Sequence, residues 1–188
     1  MGVRDRLIEG AIDLIRRNGV AGTGIAQLLQ CSGVSRRSIY LNFPSGKSEL
    51  VAEATRSAGR AYSALMRSVA ASSDMATCLA AFPALWRDTV IDSDFTAGCP
   101  IVAAALGRAD APEAADAAGE TFADWESILA ERLRAERIAP ELARSLATTI
   151  IAAVEGAVVM SLATRSPAPL ERVAAQMSTL VAHHTAAA

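Results

Sequence analysis

Residues 23–47, TGIAQLLQCSGVSRRSIYLNFPSGK, predict two short helices on either side of a glycine-containing break. Thr23 is the expected N-cap of the first helix. The buried stripe of that helix is expected to consist of Ile25, Leu28 and Leu29. Ser32 and Gly33 then form a tight turn, because glycine adopts the positive φ that other residues resist. This arrangement is typical of a helix-turn-helix, which presents its second helix to the major groove of DNA.

The second helix carries a polar face that suits a polyanion better than a protein core. Ser35 is the expected N-cap, and Ile39 and Phe43, four residues apart, are expected to point inward. The outward positions are then Arg36, Arg37, Ser38, Tyr40 and Leu41. Guanidinium and hydroxyl groups at such positions can bind phosphates and the edges of bases. This face is therefore the first candidate binding surface.

The string GVSRRSIYLNFPSGKSEL, residues 33–50, resembles the recognition region of TetR-family transcriptional regulators. That region usually reads GVS, variable polar residues, YxxF, and then a lysine that opens a long helix. Gly98-Cys99-Pro100 and Glu155-Gly156-Ala157 resemble features of the branch that contains the LmrA and YxaF repressors. The resemblance implies a bacterial, all-helical homodimer that binds a palindromic operator and releases it when a small ligand binds.

Composition and charge agree with this expectation. Hydrophobic residues make up 52% of the 188 residues, but much of that is alanine and only 4% is aromatic, which favours an all-α fold. Residues 1–60 contain nine Lys/Arg and five Asp/Glu, whereas the other 128 residues contain nine and fifteen. A basic N-terminal part on an acidic body suits binding of a nucleic acid at one end. We expect a helix-turn-helix DNA-binding domain over 1–64 and a ligand-binding and dimerisation domain over 65–188.

Apolar periodicity and breaker residues predict about nine helices and no strand. A wide apolar face covers 3–17, and cations followed by Gly19 end that helix. A long helix begins at Ser45 or Gly46 and runs to about 68. Pro83 predicts a kink or a late start in the helix of 75–91. The other expected helices cover 100–107, 112–137, 140 to about 165, and 170–183.

Residues 146–163, LATTIIAAVEGAVVMSLA, are almost continuously apolar. A membrane span needs roughly 20 apolar residues, and Glu155 lies near the middle of this run, so we expect no membrane partner. A helix that is apolar all round is instead buried within a protein or between two copies of it. We predict that this helix and the last one form a dimer interface. Its expected residues are Ile151, Gly156, Val159 and Met177.

The sequence contains little that suggests catalysis or metal binding. It has no GxSxG, HExxH or phosphate-loop motif, and we expect no enzyme activity, cofactor or metal. His183 and His184 have no metal-binding partners at ligand spacing. Three widely spaced cysteines and no signal peptide indicate a cytoplasmic protein with free thiols. Cys99 is the best candidate for a reactive thiol, because it precedes a helix start.

The resemblance places a ligand cavity among the helices of the C-terminal part. The aromatic, acidic and sulfur-containing residues of that region are the candidate lining: Phe82, Trp86, Cys99, Phe122, Trp125, Glu155 and Met160. A structural role in the core is the more common one for residues of these types, and for Glu155 the alternative is a hydrogen-bonded carboxylate in the core or at an interface.

On DNA, we expect base or phosphate contacts from residues around the second helix of the motif. The candidate residues are Thr23, Ser35, Arg36, Arg37, Ser38, Tyr40 and Lys47. Two other hypotheses stay open. One is a regulator controlled by oxidation of Cys99 or Cys31, or by a protein partner, without a small ligand. The other is a helical small-molecule-binding protein or enzyme whose N-terminal part no longer binds DNA.

Overall fold

The computed structural model describes residues 2–72 and 74–185, and within these residues it contains nine α-helices and no strand. The predicted all-α class is therefore confirmed. The helices are α1 (Val3–Asn18), α2 (Ile25–Ser32), α3 (Arg36–Asn42), α4 (Lys47–Ser72), α5 (Met75–Asp92), α6 (Pro100–Leu106), α7 (Pro112–Ala135), α8 (Pro140–Thr164) and α9 (Ala168–Thr185).

Proline and glycine set most of the helix ends. Three helices begin at Pro100, Pro112 and Pro140. The N–H of the first helical residue has no hydrogen-bond acceptor within the helix, so proline, which lacks this N–H, loses no bond there. Gly33 ends α2 in the left-handed conformation, with φ of 64°. Helix α5 begins at Met75 and is helical on both sides of Pro83, so of the two predicted alternatives, a kink or a late start, the late start is excluded.

The chain forms two compact units. The first unit contains the described residues up to Ala61 together with Cys99–Thr121, and in it α1 packs against α2, α3 and α6. At the end of α6, a Cβ on Gly107 would lie 2.6 Å from Val20 Cγ2, so glycine permits this close approach. Our division at residue 64 did not anticipate that 99–121 belongs with the N-terminal helices. As a division of function, it stays a prediction.

The second unit contains the described residues of Tyr62–Gly98 and Phe122–Ala188. In it α5 packs against α8 and α9, and α8 packs against α9. The side chains of Trp86, Trp125, Leu133 and Leu170 are completely buried and form the core of this unit. Burial of large apolar side chains is the main stabilising contribution to such a helical unit.

Helix α8 carries the long apolar run. Among the described residues it is the one helix that is long and apolar enough to cross a membrane. Half of its most apolar 18-residue stretch is buried inside the chain. The buried side includes Leu146, Ile150, Val154 and Val158. Burial of this kind is what a core helix of a folded unit shows.

Candidate nucleic-acid interface and ligand cavity

The motif formed by α2 and α3 has the predicted turn and one of the two predicted caps. Ser35 caps α3, since its Oγ accepts a hydrogen bond from the Ser38 N–H at 3.3 Å. The cap of α2 was predicted wrongly. Gly24 is the N-cap, and its N–H donates to Gln27 Oε1 at 2.8 Å. Thr23 is completely buried, and its hydroxyl donates to the Gly19 carbonyl at 2.8 Å. A buried hydroxyl with an acceptor is a poor phosphate contact, so Thr23 leaves the candidate set.

Helix α3 buries one side and exposes the other. Ile39 is fully buried and Phe43, which follows the helix, is 1% exposed, as predicted for the inward side. The exposed residues of the helix are Arg36, Arg37, Tyr40 and Leu41. Ser38 is half-buried, and its hydroxyl lies 2.9 Å from the Ser35 hydroxyl. The two serines therefore stabilise the start of the helix, while the arginines and Tyr40 are open to a ligand.

The turn after α3 holds the ring of Tyr40. Gly46 has φ of 71°, and a Cβ on it would lie 3.2 Å from Tyr40 Cε1. Lys47 follows as the first residue of α4, and its ammonium donates to the Val20 carbonyl at 3.1 Å. A lysine has three N–H donors, so this bond leaves donors for a phosphate. The hydrogen bond to Val20 also holds the Lys47 ammonium in place at the start of α4.

A cluster of arginines increases the positive charge of the first unit. Arg4, Arg56 and Arg60 lie 3.6, 3.7 and 3.0 Å from the single carboxylate of Glu53. The guanidinium of Arg4 also lies over the ring of Phe43, at 5.2 Å from its centroid. One carboxylate neutralises one guanidinium, so the cluster has a net positive charge that attracts a polyanion.

The second unit contains an apolar cavity of about 330 Å³. Four helices contribute to it: the end of α4, most of α5, and parts of α7 and α8. Among the described residues that line it, Cys78 and Asp88 are the polar ones, and none is a lysine or an arginine. The lining residues are Leu65, Met66, Val69, Ala70, Cys78, Leu79, Ala81, Phe82, Pro83, Ala84, Leu85, Asp88, Ile128, Leu129, Ile150 and Ile151.

Of the seven residues that we predicted to line a cavity, Phe82 alone lines this one. Trp86 and Trp125 are completely buried and pack on Phe82, with ring centroids 6.0 and 5.5 Å away. Phe122 packs edge-on against Trp125 at 5.5 Å. These aromatic rings form a core, because each one fills the space beside the next.

The other three predicted lining residues lie elsewhere. Cys99 is buried at the start of α6 in the first unit, and Glu155 is buried on α8. Met160 is 57% exposed on the outer face of α8. The α4 residues that line the cavity were not among the predicted ones. The signal was present, since Leu65, Met66 and Val69 recur at helical spacing near the end of a helix.

The predicted dimer residues divide into two pairs. Gly156 is exposed, with no atom within 4 Å of an added Cβ, and Val159 is 51% exposed one turn later. Ile151 and Met177 are 6% and 8% exposed, and Ile151 lines the cavity. Both are buried within the chain, whereas the side of α8 that carries Gly156 and Val159 is exposed.

Two of the three thiols, those of Cys31 and Cys78, have pKa values raised above the ordinary cysteine value. Partial burial of its thiol raises the pKa of Cys31, although the residue as a whole is exposed, and burial also raises the pKa of Cys78, partly offset by Arg132. Both thiols therefore stay protonated at neutral pH, whereas oxidation begins from the thiolate. Among the described residues, no group of three or more His, Cys, Asp or Glu side chains is placed to hold a metal ion.

Two family models match the chain. Residues 7–54 match the model of the bacterial regulatory proteins of the tetR family. Residues 75–176, more than half of the chain, match the C-terminal domain of LmrA/YxaF-like transcriptional regulators. The first match contains α2 and α3, and the second contains most of the cavity-lining residues.

Curated relatives match along almost the whole chain. An uncharacterized HTH-type transcriptional regulator of Mycobacterium tuberculosis is 33% identical over 187 residues, covering 96% of this chain and 94% of the relative. The HTH-type regulator YxaF of Bacillus subtilis is 29% identical, covering 95% and 94%. LmrA of Bacillus subtilis is 26% identical, covering 89% and 90%.

Solved structures share the fold. A TetR transcriptional regulator from Legionella pneumophila superposes with a TM-score of 0.85 at 18% identity, covering 96% of this chain and 97% of that one. A regulatory protein TetR from Rhodobacter sphaeroides superposes with a TM-score of 0.82 at 17% identity, covering 92% and 95%. At these identities the likeness concerns the arrangement of helices.

Proposed function

Since this chain belongs to the TetR family of transcriptional regulators, with a C-terminal domain of the LmrA/YxaF-like type, we propose that it is a ligand-controlled repressor. It binds a palindromic DNA operator in the cytoplasm as a homodimer and releases the operator when a small, mostly apolar compound binds. The observation that carries this proposal is the exposed side of α3, where Arg36, Arg37 and Tyr40 lie on the helix that the motif presents to DNA.

The contacts on DNA divide by chemistry. Arg36 and Arg37 lie in the first turn of α3 and reach base edges or phosphates, since a guanidinium can bind guanine in a bidentate manner. The Tyr40 hydroxyl and the Lys47 ammonium bind phosphates and set the position of the helix in the groove. Ser35 and Ser38 contribute through the start of α3, with Ser38 as a secondary candidate for a base contact.

The cavity of the second unit is the proposed ligand site. Its volume of about 330 Å³ falls at the small end of the usual range for ligand pockets, roughly 300–1,000 Å³. Apolar side chains and Phe82 form its walls. Asp88 is the one charged residue among the described lining residues, and its carboxylate is paired with the Arg87 guanidinium at 2.8 Å. Because Arg87 offsets this charge and the other walls are apolar, the cavity favours a neutral, mostly apolar ligand.

Helix α4 links ligand binding in the cavity to DNA binding. The helix begins with Lys47, and its last turns carry Leu65, Met66 and Val69, which line the cavity. A ligand shifts the population toward the form in which these residues make room for it. That shift changes the spacing of the two α3 helices of the dimer and weakens operator binding, as linkage between the two sites requires.

Dimerisation uses the outer face of α8. Two half-sites need two recognition helices roughly 34 Å apart, which a single chain cannot supply. Gly156, Val159 and Met160 leave this face open and apolar. A second copy of α8 covers it.

The decisive experiment removes the arginines of α3. Operator fragments are first selected from random DNA with the wild-type protein. In Arg36→Ala/Arg37→Ala we expect affinity for the selected operator to fall by about 1–3 kcal/mol for each arginine that reads a base. The control is Arg108→Ala, which removes an exposed arginine of the first unit that pairs with Asp116 at 2.8 Å. Unchanged operator affinity in the double variant would refute the assignment of α3.

Ligand control is tested on the same complex. Neutral, amine-bearing and carboxylate-bearing compounds of equal chain length are added, and release of the operator is measured by fluorescence anisotropy. We expect release with the neutral compounds and weaker release with either charged series, because burying a charge in an apolar cavity is costly. Phe82 lines the cavity and packs against Trp86 and Trp125, so binding should also change tryptophan fluorescence. Release by charged compounds alone would contradict the proposed cavity chemistry.

A further inference from the structure

Leu41 is an exposed leucine at the centre of the proposed DNA-binding face. Its side chain is 70% exposed, although the neighbouring inward residue Ile39 is fully buried. At about 100° per residue, Leu41 lies roughly 160° around the helix from Ile39, on the opposite side. Arg37 lies one turn earlier on the same side and is also exposed. Leu41 and Arg37 are therefore neighbours on the part of α3 that points most directly away from the core.

Leucine has no group that can bind a phosphate or a polar base edge. Its isobutyl group gains free energy only where it leaves water for another apolar surface. In the major groove, the apolar group that a base pair presents is the 5-methyl of thymine. A helix that places Leu41 beside Arg37 offers an apolar contact next to a guanidinium, which matches a thymine beside a guanine.

We propose that Leu41 reads the 5-methyl group of one thymine in each half of the operator, and this inference rests on the proposed DNA binding. Tyr40 has a different part. Its ring packs against Gly46 in the turn after α3, which directs it toward the flank of the helix and the DNA backbone. The two adjacent residues therefore divide their tasks, with Tyr40 positioning the helix and Leu41 selecting the base.

The test removes single methyl groups from the DNA. Each thymine of the selected operator is replaced in turn by deoxyuridine, which keeps base pairing and lacks only the 5-methyl. For the wild-type protein we expect one position per half-site at which this replacement weakens binding about fourfold, the equivalent of about 0.8 kcal/mol for one buried methyl-sized group. In Leu41→Ala the same replacement should have little effect, since the contact is already lost.

A matched control separates a contact from a general effect on folding. Leu106 is also a strongly exposed leucine of the first unit, 82% exposed at the end of α6. Leu106→Ala should keep the full fourfold effect of deoxyuridine. The coupling between the protein change and the DNA change, measured as a double-mutant cycle, reports the contact itself.

The outcomes separate this inference from the proposed function. If the deoxyuridine effect is the same in the wild type and in Leu41→Ala, or if no thymine position responds, Leu41 does not read a methyl group. DNA binding would then still stand. If the wild type enriches no DNA sequence from the random pool, both the inference and the proposed function are wrong.

Discussion

Gly156 lies on the outer face of α8, and replacing it with leucine tests the proposed dimer without disturbing the fold of the chain. A Cβ added at this position meets no atom within 4 Å. The residue is exposed and lies in the interior of a helix, where glycine is less favourable than other residues by about 0.5–1 kcal/mol. Within one chain, Gly156→Leu should therefore be neutral or slightly stabilising.

The dimer should respond in the opposite direction. A bulky side chain inserted into a closely packed contact costs about 1–3 kcal/mol. A two-fold symmetric interface contains the substitution twice, so the expected loss is about 2–6 kcal/mol. A loss of about 2 kcal/mol, the lower end of this range, raises the dimer dissociation constant by roughly 30-fold. A stable monomer and a weakened dimer together would show that the lost contact belongs to the partner.

The assay is sedimentation equilibrium, with thermal unfolding followed by circular dichroism. Gly119→Leu is the matched control, because Gly119 is also exposed, helical and free of neighbouring atoms within 4 Å, but lies on α7. The control should dimerise as the wild type does. The proposed interface is wrong if the wild type sediments as a monomer at micromolar concentration, or if Gly156→Leu dimerises with unchanged affinity.

Trp86, Lys47 and the thiols of Cys31 and Cys78 give three further predictions. Trp86→Ala should lower the free energy of unfolding by about 3–5 kcal/mol in urea, because it empties a fully buried site. Trp86→Phe should cost much less, since the indole N–H has no hydrogen-bond partner among the described residues; equal losses would contradict this. Lys47→Ala should weaken binding to all DNA sequences alike and make the salt slope shallower by about one unit for each copy of the chain on the DNA, and a sequence-dependent loss would show a base contact instead. Since burial raises the pKa of Cys31 and Cys78, iodoacetamide at pH 7 should alkylate both more slowly than a free cysteine, and rapid labelling would revive thiol control.

The sequence was sufficient to predict the helices because their ends are encoded locally. Pro100, Pro112 and Pro140 begin helices, and Gly33 ends one, for reasons that involve only the residue itself and its neighbours. The cap of α2 shows the limit. Thr23 and Gly24 are both acceptable caps, and the choice depended on Gln27 bonding back to Gly24 while Thr23 was buried.

The cavity was harder to predict than the proposed DNA-binding face. On α3 the inward residues Ile39 and Phe43 determine the outward ones, so one short helix defines its own exposed side. In the second unit, an apolar residue that lines a cavity and one that fills the core have the same periodicity. Leu85 lines the cavity and Trp86 fills the core beside it. This difference depends on packing between helices that are distant in sequence, so it cannot be predicted from a local sequence pattern.

The contact between Gly46 and Tyr40 has a consequence for how such a regulator changes over generations. Any other residue at position 46 would bear a Cβ close to the tyrosine ring and would strain a backbone with φ of 71°. A mutation in this turn would therefore displace Tyr40 without altering a single residue of α3. On the proposed DNA-binding role, a substitution in this turn would change how related proteins bind their operators, although the turn itself is not part of α3. A comparison of related proteins that is restricted to α3 would overlook such a change.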